Sequence, residues 1–248
     1  MATVSAIEWT ESTWNPVTGC SRISLGCRHC YAERMARRLH AMGNPRYRNG
    51  FRVTLHPDAL SAPLSWTRPQ MVFVNSMGDL FHRDVPLAFV QKVFEVMERA
   101  SQHTFQILTK RAKRLARLAP TLSWPENVWI GVTVEANSYT WRLDCLREAP
   151  ASVRFVSAEP LLGDLGDLSL DGIDWVIVGG ESGPGARPMR VEWAGSVRDQ
   201  CLAAGVPFFF KQWGGTHRLQ AGRQLDGRLW EEYPRAACGR RGSQLQAG

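Results

Sequence analysis

Cys20, Cys27 and Cys30 are the residues on which chemistry can be built. They fall within eleven residues, spaced C-x6-C-x2-C, and make up half of the chain's six cysteines. Thiolates are soft anionic ligands, so three on one loop can converge on a single metal centre. No fourth cysteine lies nearby to close a tetrahedral site. A centre held by three protein ligands keeps one position open for a substrate or cofactor, which separates a working centre from a structural staple. Cys145, Cys201 and Cys238 are scattered and read as ordinary thiols. The six histidines show neither H-x3-H nor HExxH spacing, so the sequence supports no histidine metal site.

Tyr31 to His40 reads as a helix, with Tyr31, Met35 and Leu39 on one face. Cys30 then lies near its amino end, where free N–H groups and the helix dipole favour anionic sulfur. Beyond it, short apolar runs alternate with amphipathic ones, the pattern of parallel βα units. Strands are expected over 7–14, 51–55, 71–75, 104–109, 128–134, 153–157, 175–179 and 207–211, and helices over 86–100, 110–118, 138–148 and 191–204. The runs are nearly continuous in Val, Ile and Phe, as in strands covered on both faces. The expectation is an α/β fold: a single-domain parallel (β/α) barrel or partial barrel over residues 1–215, with an open doubly wound sheet as the alternative. Residues 216–248 form an extension whose Gly-, Arg- and Gln-rich end predicts disorder from about 236.

In parallel α/β folds ligands sit at the carboxyl ends of the strands. Each apolar run from 71–75 onward ends in polar residues there: Asn75, Ser76 and Asp79; Thr109 and Lys110; Thr133 and Glu135; Ser157 and Glu159; Gly179, Gly180 and Glu181; Lys211 and Gln212. Capping is the competing reading for Asp79 and Thr109. Arg187 offers a planar cation for phosphate or carboxylate. Trp213 is placed either to stack a base or to pack.

The cysteine loop, with His29 before the last thiol, resembles that of the radical S-adenosylmethionine (SAM) superfamily, although its first gap is six residues where three is usual there. Phrases along the chain, among them TWNPVTGC, GCRHCYAERMA, VFVNSMGDLFH, WVIVGGESGPGARPM and PFFFKQWGG, are similar to a phage and prophage family regarded as radical-SAM-like. The order of strand-end motifs also resembles the radical SAM lyases that repair spore DNA photoproducts. The resemblance implies a [4Fe-4S] cluster on Cys20, Cys27 and Cys30, with SAM on its fourth iron. Asn75, Ser76 and Asp79 would then face the SAM ammonium, Lys110 its carboxylate, and Thr133 and Glu135 its ribose. Glu159, Glu181 and Lys211 would serve the reaction, and Gly180, Arg187, Gln212 and Trp213 the substrate.

The formal charge of +7 suggests an anionic partner, and nucleic acid is the commonest. Basic residues gather at Arg34, Arg37 and Arg38 and again from Lys110 to Arg117; the second reading of both runs is a solvated helix face. No apolar run is long enough for a membrane span and the amino terminus carries no signal-like pattern, so a cytoplasmic protein is expected, in a host cytoplasm if phage-encoded. The expected function is a radical SAM enzyme of isomerase or lyase type, served by a reducing electron donor and acting on a nucleic-acid base or nucleotide, as in thymidine or DNA hypermodification or repair. The alternative is a non-catalytic zinc- or cluster-binding interaction protein.

Overall fold

A computed structural model describes residues 3–5, 7–216 and 222–235. The tail expected to be disordered from 236, with Cys238, lies outside the described residues. The chain divides into two compact units, Met1–Thr133 with Arg142–Ser152, and Val134–Trp141 with Val153–Gly248.

In unit 1, β1 (Thr3–Val4) pairs antiparallel with β2 (Ser12–Trp14). A separate antiparallel ribbon joins β3 (Val17–Thr18) to β4 (Thr54–Leu55). β5 (Met71–Val74), β6 (Thr104–Thr109) and β7 (Val128–Thr133) extend from β2 as parallel neighbours. Nearly every residue of β6 and β7 is buried, which is why these runs lack polar alternation. The run 51–55 was expected as a strand of this sheet. The structure instead folds it back on the segment before Cys20, because Cys20 N donates to Phe51 O and His56 N to Pro16 O.

The helices of unit 1 are α1 (Tyr31–Ala41), α2 (Leu87–Arg99), α3 (Ala112–Leu118) and α4 (Arg142–Arg147). In α1 the buried stripe is Ala32 and Ala36, which meet Tyr47 and Met77, with Met35 and Leu39 packed alongside. Tyr31, expected on that stripe, is 57% exposed. α2 buries Phe89, Val90, Val93, Phe94, Val96 and Met97, each contributing about 1.5–3 kcal/mol of apolar transfer. α4 is shorter than expected because residues 137–139 form a 3-10 turn.

Unit 2 holds β8 (Val153–Ala158), β9 (Trp175–Gly179) and β10 (Phe208–Gln212), parallel in that order. α5 (Val191–Ala204) connects β9 to β10 and stops at Gly205, whose φ of +66° suits a left-handed C-terminal cap. The α/β class and the parallel βα succession expected from the sequence are thus present in both units. Beyond Gly215, where the pattern decays, β11 (Gln224–Leu225) and β12 (Arg228–Leu229) form a hairpin. Its turn is Asp226–Gly227, both at positive φ, the pair favoured in two-residue hairpin loops. Among the described residues, no helix is long and apolar enough to cross a membrane.

Candidate functional site

The cysteine loop is fastened at its start. Gly19 N donates to Met77 O (2.8 Å) and Val17 N to Asn75 Oδ1 (3.0 Å). A Cβ at Gly19 would stand 2.2 Å from Arg52 O, and one at Gly78 2.9 Å from Val17 O. Glycine at 19 therefore lets the Phe51–Arg52 backbone press against the start of the loop, and glycine at 78 lets that start lie on the Asn75–Asp79 turn. The loop ends at Cys30, which caps α1, with Cys27 buried just before it. Burial, then the Asp79 charge, pushes the Cys20 thiol up to about 12 against the pull of Arg111. Cys27 is lowered: burial opposes its thiolate, but hydrogen bonds from Ile23 and Ser24 and the Lys110 charge outweigh it. A cleft of about 650 Å³ opens beside Cys20, lined also by Ser21, Glu33, Arg37, Arg52 and His82.

Behind the loop lies a buried network. Asp79 Oδ1 accepts from Phe81 N (2.9 Å) and Thr109 Oγ1 (2.8 Å); Oδ2 accepts from Lys110 N (3.3 Å) and Arg111 (2.8 Å). Arg111 also donates to Ser21 O (2.9 Å) and Ser21 Oγ (3.1 Å). His82 Nδ1 accepts from Asp84 N (3.1 Å), so its Nε2 carries the hydrogen and donates to Ser21 Oγ (2.7 Å). Asp79 thus serves the ends of β5 and β6 and, through Arg111, the residue next to Cys20. Asn75 sits at φ +62°, and its buried Nδ2 has no partner among the described residues. Ser76 donates to Asn15 (3.3 Å), and the Thr133 carbonyl accepts from buried Arg142 (2.6 Å).

Unit 1 also buries His56, His82 and His103, and burial is the leading cause that holds all three below the ordinary 6.5. For His82 the Arg111 charge adds to it. A histidine lowered in the folded state binds its proton more tightly when unfolded, so folding stability is full above about pH 6.5. It falls as the pH drops from there toward the folded values. Melts at pH 7.5 and 5.5 are expected to show a lower Tm at pH 5.5, and a His82→Gln variant a smaller drop.

In unit 2, Lys211 pairs with Glu159, both largely buried. Arg187 donates from N and Nε to Glu181 Oε2 (each 2.9 Å) and from its terminal nitrogen to Oε1. That pair, then the Glu135 charge, raises Arg187. Gln212 Nε2 donates to Ser182 Oγ (2.7 Å) and Gly180 O (3.2 Å), leaving its Oε1 buried without a partner among the described residues. The backbones of Gly180–Gly183 and Gln212–Gly215 are bonded together. A Cβ on Gly180 would come within 1.9 Å of Trp213 O. Glycine at 180 therefore permits this crossing of two chain segments. Trp213 Nε1 donates to Gln224 O (2.8 Å) and its ring meets Phe210 edge-on at 4.9 Å, which is the packing alternative.

A family model described as "Protein of unknown function (DUF5131)" matches residues 4–234. The chain belongs to this family. No curated protein matches it. Among solved structures, a double mutant of spore photoproduct lyase with bound AdoMet and a dinucleoside spore photoproduct is similar at 10% identity and TM-score 0.47, over 72% of this chain and 58% of that one. Spore photoproduct lyase complexed with dinucleoside spore photoproduct is similar at 10% identity and TM-score 0.46, over 81% and 63%. The chain thus spans about three fifths of these proteins' length.

In this DUF5131 chain the expected residues fall into two groups. Unit 1 gathers the three cysteines, Asn75, Ser76, Asp79 and Lys110, with Thr133 ending β7. Unit 2 carries Glu135, which is buried, with the Glu159–Lys211 and Glu181–Arg187 pairs, Gly180, Gln212 and Trp213. Sequence reasoning missed Ser21, His82 and Arg142 as participants. It also took Arg111 for part of a basic helix face, whereas Arg111 and Arg114 turn inward, Arg114 onto the carbonyls of His82 and Val85. The spacing held the signal: 111 and 114 flank the buried stripe Ala112, Leu115 and Leu118, while Lys113 and Arg117 are exposed.

The fit of a cluster can be judged from the donors. Three thiols on one loop match it in kind and number, with anion-favouring N–H groups at the start of α1. Cys20 Sγ lies 3.5 Å from Ser21 O and Cys27 Sγ 3.5 Å from Ser24 Oγ. Among the described residues, no three Cys, His, Asp or Glu groups are drawn together to metal-holding separation. The donors thus fit a cluster in kind and number, while their separations in this structure are not those of a formed metal site.

Proposed function

We propose that this DUF5131 chain is a radical SAM enzyme acting on a nucleic-acid base or nucleotide, with Cys20, Cys27 and Cys30 holding a [4Fe-4S] cluster. The observation that carries the reading is the anchored loop itself: three thiols in eleven residues, tied by backbone bonds to a strand-end turn and ending on a helix amino terminus. A bound cluster would supply the one electron that splits SAM into methionine and a 5'-deoxyadenosyl radical.

The chain's own residues bind and orient. Asn75 Nδ2, buried and without an acceptor among the described residues, is suited to a carboxylate or hydroxyl oxygen. Lys110, whose charge already reaches Cys27, is suited to the SAM carboxylate. Asp79 has four protein donors on its two oxygens, so its part is to hold Arg111 and the loop, and an ammonium ligand would have to displace one of them. Thr133 and Glu135 remain the ribose candidates. In unit 2, Glu159, Lys211, Glu181, Arg187 and Gln212 are the groups proposed to serve the substrate. The reaction is of lyase or isomerase type and draws on an external reductant in the cytoplasm.

Anaerobic reconstitution tests the assignment. The wild type is expected to take up about four irons per chain, and Cys20→Ala, Cys27→Ala and Cys30→Ala to lose the cluster while keeping wild-type circular dichroism. Asn75→Ala and Lys110→Ala are expected to keep the cluster and weaken SAM binding by calorimetry. Stoichiometric zinc in place of iron, or unfolding of the cysteine variants, would move the site to a structural role.

A further inference from the structure

The positive charge of the chain is not spread over it. Residues 21–53 carry eight arginines and one glutamate, a net +7 that equals the net +7 of the whole chain. Everything outside this segment is balanced. The segment is the cysteine loop, α1 and the return to the ribbon, all in unit 1. Arg22, Arg28, Arg37, Arg38, Arg46, Arg48 and Arg52 are exposed, and Arg34 half-buried.

Internal pairing takes up only part of this charge, since one glutamate is shared by two arginines and Arg46 donates to Asn15 O (3.0 Å). Glu33, the one acid, holds both Arg22 and Arg37, and so draws residues from the loop and the helix to one spot. Arg37 and Arg52 line the same cleft beside Cys20. Tyr31, 57% exposed at the start of α1, adds an aromatic face to the surface. The contrast with the run from Lys110 to Arg117 is direct, since there Arg111 and Arg114 are committed to Asp79 and to main-chain carbonyls.

We infer that the exposed surface of residues 21–53 is a docking face for the phosphate backbone of a polymeric nucleic acid. One or two cations suffice for a free nucleotide. Seven exposed arginines, two of them sharing Glu33 and one bonded to Asn15 O, are distributed over a helix of eleven residues and the loops at both its ends, and such a spread of cations suits a chain of phosphates. The helix alone is about 16 Å long, close to five base-pair rises. Arginine pairs with phosphate through two parallel N–H bonds, and an exposed tyrosine offers an unpaired base a stacking surface. This deepens the proposed function by choosing polymer over nucleotide, and it places the polymer's backbone beside the cysteine loop.

The test is binding of the full chain, without iron or SAM, to a fluorescein-labelled 20-nucleotide DNA, single-stranded and duplex, across a salt series. Log affinity is expected to fall linearly with log salt. The triple variant R38Q/R48Q/R52Q is expected to reduce the slope by about 2 on single-stranded and about 3 on duplex DNA and to weaken binding on the order of tenfold at 0.15 M salt. A second triple, R83Q/R99Q/R190Q, removes the same charge from exposed sites elsewhere and is expected to bind within about twofold of wild type. Equal losses in both triples would show that net charge and not this face is responsible, and would overturn the inference. So would absence of DNA binding with retained binding of polyglutamate lost in the first triple, which would make the occupant an acidic protein. DNA bound at this face with no SAM cleavage would leave the inference standing and remove the proposed chemistry.

Discussion

Asp79→Ala is expected to destabilise the protein by about 3–5 kcal/mol, the usual cost of removing one partner from a buried ion pair. The carboxylate and the Arg111 guanidinium are only 6% and 10% exposed, so water does not replace the lost partner. Thr109 Oγ1 and the N–H groups of Phe81 and Lys110 lose their acceptor at the same time. Arg111 also holds Ser21, so the cysteine loop is expected to loosen with it. Asp79→Asn keeps part of the acceptor set and should fall between Ala and wild type. Urea unfolding measures the stability, and the rate of thiol labelling at Cys20 the loosening. An Asp79→Ala protein of wild-type stability that no longer binds SAM would reverse the assignment and give this carboxylate to the ligand.

Gly180→Ala is expected to cost about 3 kcal/mol or more, the upper range of overpacking, because the added carbon meets main chain and not a movable side chain. It would stand 1.9 Å from Trp213 O and 2.6 Å from its carbonyl carbon. Gly179→Ala is the control. There the added carbon meets Lys211 Cβ at 3.4 Å and Glu159 Cγ at 3.5 Å, ordinary contacts that a small shift accommodates. Adjacent glycines in one motif are thus expected to differ sharply in urea unfolding. Equal tolerance at both would mean that the crossing of the Gly180 and Trp213 segments is not tight.

These two residues also show what the sequence could say. Strands β6 and β9 and helix α5 stand at the limits their apolar periodicity set, because burial on both faces and a glycine stop are local signals. Asp79 and Gly180 could be singled out by position after a strand, but not their partners. Arg111 stands 32 residues from Asp79, and Ser21 90 from Arg111. Such pairings arise from strand order, to which no local pattern refers. The β3–β4 ribbon was missed for the same reason, since its paired residues, Val17 with Leu55 and Thr18 with Thr54, lie far apart in the chain. The β11–β12 hairpin is different: Leu225-Asp226-Gly227-Arg228 carries a turn signal, but strands of two residues left no alternation to flank it. The basic surface was legible in part. Arg34, Arg37 and Arg38 stood out as a cluster, while the balance of charge elsewhere emerges only when the chain is counted in segments.

The central claim is that Cys20, Cys27 and Cys30 hold a cluster that cleaves SAM. Its most direct measurement is chromatographic detection of 5'-deoxyadenosine after the anaerobically reconstituted protein is reduced in the presence of SAM. Formation by the wild type and none by Cys20→Ala, Cys27→Ala or Cys30→Ala is the result expected. A reduced wild type holding about four irons per chain that leaves SAM intact would contradict it.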